Sequence, residues 1–153
     1  MSKVYRNKPL ALDELLGHVA GDGKVYESRF GPDKYVGRVD LVSGHIYEAR
    51  LGPDKHIGRV ALDNGKVYHP KVGPDEYLGG VDAEGRCHRH IPMASDEYLG
   101  KVVEMETYAH GGAAFLLLVL PAWEEQEAER KEIAEAARQG SKDENEPEAK
   151  GDE

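Results

Sequence analysis

Cysteine is almost absent from this chain, with one residue in 153. A single thiol excludes a disulfide framework and a four-cysteine zinc site. Aromatic residues are sparse, at 7%, with one Trp and two Phe. Long apolar runs are missing too. The longest, Ala113 to Leu120, falls short of the ~20 residues a helix needs to cross a bilayer, even stretched from Ala109 to Trp123. No transmembrane span is therefore expected. Excess positive charge is also lacking. The net charge of -9 makes nucleic acid an unlikely partner, because that binding runs on phosphate neutralisation by Lys and Arg. Met1 to Asn7 lacks the apolar core of a signal peptide, so a cytoplasmic setting is expected.

The acidity is unevenly placed. Ser141 to Glu153 holds six acids and two lysines, and Glu124 to Gln139 holds six acids and three bases. Only -2 of the net -9 is left for the first 123 residues. Residues 141–153 carry no apolar side chain larger than Ala149 and include Pro147. Such a segment cannot bury enough surface to offset its ordering entropy, and a disordered acidic tail is expected.

What the chain does have is glycine, 18 residues, set at regular intervals. Gly17, Gly37, Gly58, Gly79 and Gly100 are each followed two places later by Val19, Val39, Val60, Val81 and Val102. Asp13, Asp33, Asp54, Asp75 and Asp96 form a third column. A base opens each unit at Lys3, Lys24, His45, Lys66 and Arg86, and a ring follows at Tyr5, Tyr26, Tyr47, Tyr68 and His88. These are five units of 20 or 21 residues, covering about residues 2 to 103.

Each unit reads as a β-hairpin. Lys24 to Phe30 is one strand, Gly31-Pro32-Asp33 punctuates it, and Tyr35 to Asp40 is the next. Short links force antiparallel neighbours. A strand-interior glycine costs stability, so five of them imply a bulge or a close approach of backbones, with the adjacent Val packed at a hub. The period is too short for a propeller blade or a helical solenoid. MORN-type repeats are nearer in length, but their glycine and aromatic spacing does not match. The Tyr35-Val36-Gly37-Arg38-Val39 and Lys24-Val25-Tyr26 columns resemble the short hairpin repeats of the β-flower type. That resemblance covers two thirds of the chain. It implies hairpins in a radial or closed array, a β-flower or small barrel, and implies nothing about activity. The fold class expected is mainly β, followed by an apolar segment and a C-terminal α-helix.

Beyond the repeats, Val103 to Ala109 reads as a closing strand broken by His110-Gly111-Gly112. Ala113 to Leu120 is apolar on all sides and therefore buried, with helix favoured over strand. The expected organisation is a repeat domain with its buried apolar segment over 1–120, a charged helix over 121–140 and the tail over 141–153.

For function, the residues favour a non-catalytic binding or scaffolding module. Its ligand-binding candidates are Lys24, Tyr26, Arg38, Tyr47, Arg59, Lys66 and Tyr68, basic and aromatic columns that suit a protein or a small anionic ligand. Arg38 and Arg59 belong to a series of bases, with His18 and Lys101, that Gly80 interrupts. No catalytic residue and no cofactor is expected: phosphate loops, dinucleotide-binding motifs and nucleophile elbows are all missing. An enzyme or metal-binding alternative rests on His88 and His90, which alternation puts on one face, but two ligands are not a site. The five aspartates could ring a cation, yet each has a sufficient reason to exist as a turn residue. A membrane-associated alternative uses residues 113–123. Self-association through the C-terminal helix is a further candidate contact.

Overall fold

A computed structural model describes residues 1–151, with side chains through 139. The expected helix boundary at 140 and the acidic tail over 141–153 lie outside the fully described residues. Two compact units are present, Met1–Pro121 and Ala122–Glu153.

The first unit is a closed barrel of ten antiparallel strands. They are β1 (Ser2–Arg6), β2 (Glu14–Val19), β3 (Lys24–Glu27), β4 (Lys34–Val39), β5 (His45–Glu48), β6 (Lys55–Val60), β7 (Lys66–His69), β8 (Glu76–Val81), β9 (Arg86–Arg89) and β10 (Glu97–Val103). Each repeat supplies one hairpin, an odd strand and the even strand after it. Sequence neighbours pair around the ring, and β1 pairs with β10 to close it. Of the two architectures expected, the small barrel is the one observed.

Every hairpin carries a register shift at the same place. In β3–β4 it falls where Tyr26 faces Tyr35 and Val25 faces Gly37, so Val36 is the extra residue. The same break recurs in the other four hairpins, while the pairings between units show none. Bulges increase local twist, and a narrow barrel built from short strands needs that curvature to close.

The glycine after each bulge also faces inward, where space is short. A Cβ on Gly58 would stand 2.7 Å from both Leu116 Cδ2 and the Tyr68 carbonyl oxygen. One on Gly37 would stand 2.9 Å from Leu117 Cδ1. Bulge and close approach are thus both present. Val19, Val39, Val60, Val81 and Val102 are buried alongside.

The closing strand expected over 103–109 is not there. β10 ends at Val103, and helix α1 (Tyr108–Ala114) begins after Thr107. Thr107 caps α1, its side chain accepting from the His110 backbone N–H. His110, Gly111 and Gly112 do not break the chain; they are buried helical residues. The missing side chains are what let the helix in: a Cβ on Gly111 would stand 2.7 Å from Val81 Cγ1, and one on Gly112 2.5 Å from Val60 Cβ. His110 is fixed at both ring nitrogens. Nε2 lies 3.0 Å from the Gly21 carbonyl oxygen and Nδ1 lies 2.7 Å from Thr107 Oγ1. A carbonyl only accepts, so Nε2 carries a proton.

A π-helical turn, Phe115–Val119, follows α1, and then α2 (Leu120–Gly151). The Leu120 N–H donates to the Phe115 carbonyl, five residues back. Pro121 comes next and has no N–H to donate, so the ladder opens where a bond is lost anyway. Ala109 to Leu120 is buried throughout, with Phe115 the largest fully enclosed side chain. The barrel therefore has a helix for its core. Residues 113–120, the larger part of the 113–123 run considered for membrane association, are enclosed by the barrel strands. No helix of the described residues is long and apolar enough to cross a membrane.

The second unit is the helical stretch from Ala122. Arg130 pairs with Glu127 at 3.2 Å, and Ile133 is exposed.

Candidate functional site

Alternation sends the residues flanking each inward Val and Gly to the outside of the barrel. There, the base after each repeated glycine reaches across the next strand. Arg38 on β4 faces Tyr47 on β5 in register, and its guanidinium carbon lies 4.2 Å from the ring centre. Its Nε donates to Asp54 Oδ2 at 3.1 Å. Arg59 repeats the geometry one unit on, 4.4 Å from the Tyr68 ring and 3.1 Å from Asp75 Oδ2. His18 stacks on Tyr26 at 4.9 Å and approaches Asp33 at 3.3 Å. Lys101 closes the circle, 5.8 Å from the Tyr5 ring and 3.5 Å from Asp13. A belt of base, ring and carboxylate thus runs round the barrel, each link joining one unit to the next.

The fifth link is incomplete. Gly80 stands where the base should be, His88 replaces the tyrosine, and Asp96 waits at the carboxylate position. Gly79 beside it has φ +137, in the left-handed region, unlike the other four glycines of its column. An open cleft of about 430 Å3 lies here, bordered by Lys66, Tyr77, Gly80, Asp82, His88 and Asp96. Asp82 is committed to the turn, accepting from the Arg86 and Glu84 backbone and from Arg86 Nε. Asp96 approaches only His90 Nδ1, at 3.3 Å, through one oxygen; its second oxygen has no partner among the described residues. Burial, and then the Asp96 charge, push the Tyr77 phenol above its ordinary value. Lys66 sits 5.8 Å from the Tyr77 ring and makes no ion pair among the described residues.

Further openings lie elsewhere among the described residues, two of them notable. One, of about 600 Å3, is bordered by Tyr5, Asp13 and Lys101, where the ammonium already holds the carboxylate. The other, of about 300 Å3, lies where Leu116, Leu117 and Pro121 meet Tyr35 and Glu48.

The structure joins the sequence candidates in pairs. Arg38 with Tyr47 and Arg59 with Tyr68 are real contacts. Tyr26 is taken by His18 and Tyr35. Lys66 turns to Tyr77, not Tyr68, and Lys24 faces Arg38 in register without an ion pair among the described residues. The two arginines are neutralised by Asp54 and Asp75, so the bands of positive charge are weaker than their residue count. The aspartates do not converge on a common centre; Asp13, Asp33, Asp54 and Asp75 each serve their own link, and Asp96 approaches His90. His88 and His90 engage different neighbours, Tyr98 at 5.6 Å and Tyr77 at 4.7 Å. No group of three or more His, Cys, Asp or Glu among the described residues could hold a metal. The sequence reading found the aspartate column but took it for turn residues and missed its pairing with the bases. Its signal is the constant separation of 16 residues between Arg38 and Asp54 and between Arg59 and Asp75.

The rim of hairpin tips carries a second repeated feature. Leu10, Phe30, Leu51, Val72 and Met93 occupy matching positions, one per unit, and all are fully exposed. Comparison of the chain with protein-family models, curated proteins and solved structures gave no match.

Proposed function

We propose that this chain is a non-catalytic binding module that works from its outer surface and its rim. The observation that carries this reading is the five exposed apolar side chains repeated around one end. A single exposed apolar residue needs no explanation, but five placed by a repeat form a surface suited to a protein partner. The interior supports the same reading, since Phe115 and its neighbours occupy the space a ligand would take in an empty barrel. The single Cys87 is enclosed, and burial holds its thiol protonated, which removes the obvious nucleophile. The basic and aromatic candidates, the cytoplasmic setting and the β-flower likeness belong to this reading as proposals. They rest on the ordered outer belt, on the isolated cysteine and on the hairpin columns.

The test is replacement of the five rim residues together: Leu10→Ser, Phe30→Ser, Leu51→Ser, Val72→Ser and Met93→Ser. These side chains touch little, so melting should stay close to wild type. Cross-linking in the native cell should then lose the protein contacts that the wild-type chain makes. An unchanged cross-linking pattern would remove the rim from the reading.

A further inference from the structure

We infer that the cleft at Gly80 is a receptor for a guanidinium group supplied from outside the chain. This deepens the binding-module reading and rests on it. The molecule contains its own template. At two links a guanidinium lies over the ring across the strand and donates to the carboxylate of the following tip, with Nε–Oδ2 distances of 3.1 Å in both. The incomplete link keeps the ring, as His88, and the carboxylate, as Asp96, and deletes only the cation. The space vacated is the cleft itself.

Among the described residues, none refills the gap. Lys66 borders the cleft, but its ammonium rests near Tyr77 and makes no ion pair among the described residues. His90 holds one oxygen of Asp96, and the other has no partner among the described residues. A planar, delocalised cation suits this site better than an ammonium. It can stack on an imidazole face and donate edge-on to a carboxylate at the same time. An anion is disfavoured beside Asp96, whose second oxygen has no partner among the described residues. The guanidinium can come from free arginine or from an arginine within a peptide; the recognising chemistry is shared.

The experiment is an amide-resolved NMR titration of the full chain with N-acetyl-arginine amide. The expected result is shifts confined to Gly79, Gly80, His88 and Asp96, saturating on the order of 1 mM for an exposed single-residue ligand. N-acetyl-lysine amide should bind more weakly. Asp96→Asn should reduce affinity about tenfold by removing the ion pair. Asp54→Asn, the same change in a filled link, should leave binding unaltered. His88→Tyr, which restores the ring of the other links, should bind at least as well as wild type. Tighter binding of N-acetyl-Gly-Arg-Gly amide than of the single residue identifies a peptide source, and equal binding identifies the free amino acid. Shifts scattered over the surface, or the same affinity in Asp96→Asn, would overturn the assignment. That failure is separable from failure of the binding-module reading, since it leaves cross-linking through the rim untouched.

Discussion

The inner and outer faces of the same ten strands follow different rules. Inside, the five units are nearly interchangeable: Val4, Val25, Ile46, Val67 and Cys87 in the odd strands, glycine and Val in the even ones. Outside, the columns drift, from Arg to His to Lys to Gly in one series alone. The inner face packs against one helix and tolerates no Cβ at several positions. The outer face pairs solvent-exposed charges, whose loss costs little. Conformity inside therefore specifies the fold, and variation outside is where a site can arise without unfolding the barrel.

The sharpest separation lies in thiol chemistry. Cys87 is fully buried, and burial lifts its thiol well above the ordinary range. Alkylation in native conditions should run at least about a thousandfold slower than in denaturant, because only opened molecules react. Lys24→Cys, on the outer face, should label at an ordinary rate. Equal rates would show that the barrel breathes.

Next in size is the plug. Phe115→Ala should cost about 3–5 kcal/mol of unfolding free energy by denaturant titration. Gly58→Ala should cost about 1–3 kcal/mol through overpacking against Leu116 and the Tyr68 carbonyl. Combining it with Leu116→Ala should cost less than the sum of the two, because one change vacates space the other needs. On the outside, Arg59→Ala should lower stability by no more than about 1 kcal/mol, even though it removes both an ion pair and a cation–ring contact.

The smallest effect concerns acid. Asp40 accepts from the Ser43 and Val42 backbone N–H groups at 3.0 and 2.8 Å, and these bonds hold its carboxyl below the ordinary value. A depressed folded-state pKa contributes stability that is present above the unfolded value and lost as pH falls through the folded one. Melting followed downward from pH 5 should therefore decline, and Asp40→Asn should flatten part of that decline.

The contrast between faces also explains what the sequence made legible. Hairpins, turns and the inward Val column are local matters, written in alternation and in Gly-Pro-Asp. The enclosed apolar run was readable from Ala113 to Leu120 because it lacks a polar face. His110-Gly111-Gly112 was misread because glycine pairs favour loops in isolation, while here the gap between Val60 and Val81 demands them in a helix. The outer belt was read as separate basic and aromatic columns. Its carboxylates come from the following unit, and a contact across two strands leaves no local trace.

Closure of the barrel has a consequence in time. The seam joins the first strand to the last, and the terminal ammonium lies 3.4 Å from Glu106, 105 residues away. All five hairpins can form on nearest-neighbour contacts as they appear. The ring cannot shut until the last hairpin exists, and the segment that fills it comes later still. A nascent chain therefore waits with two unpaired edges and an empty middle until both arrive, and long-range closure of this kind sets the pace of folding.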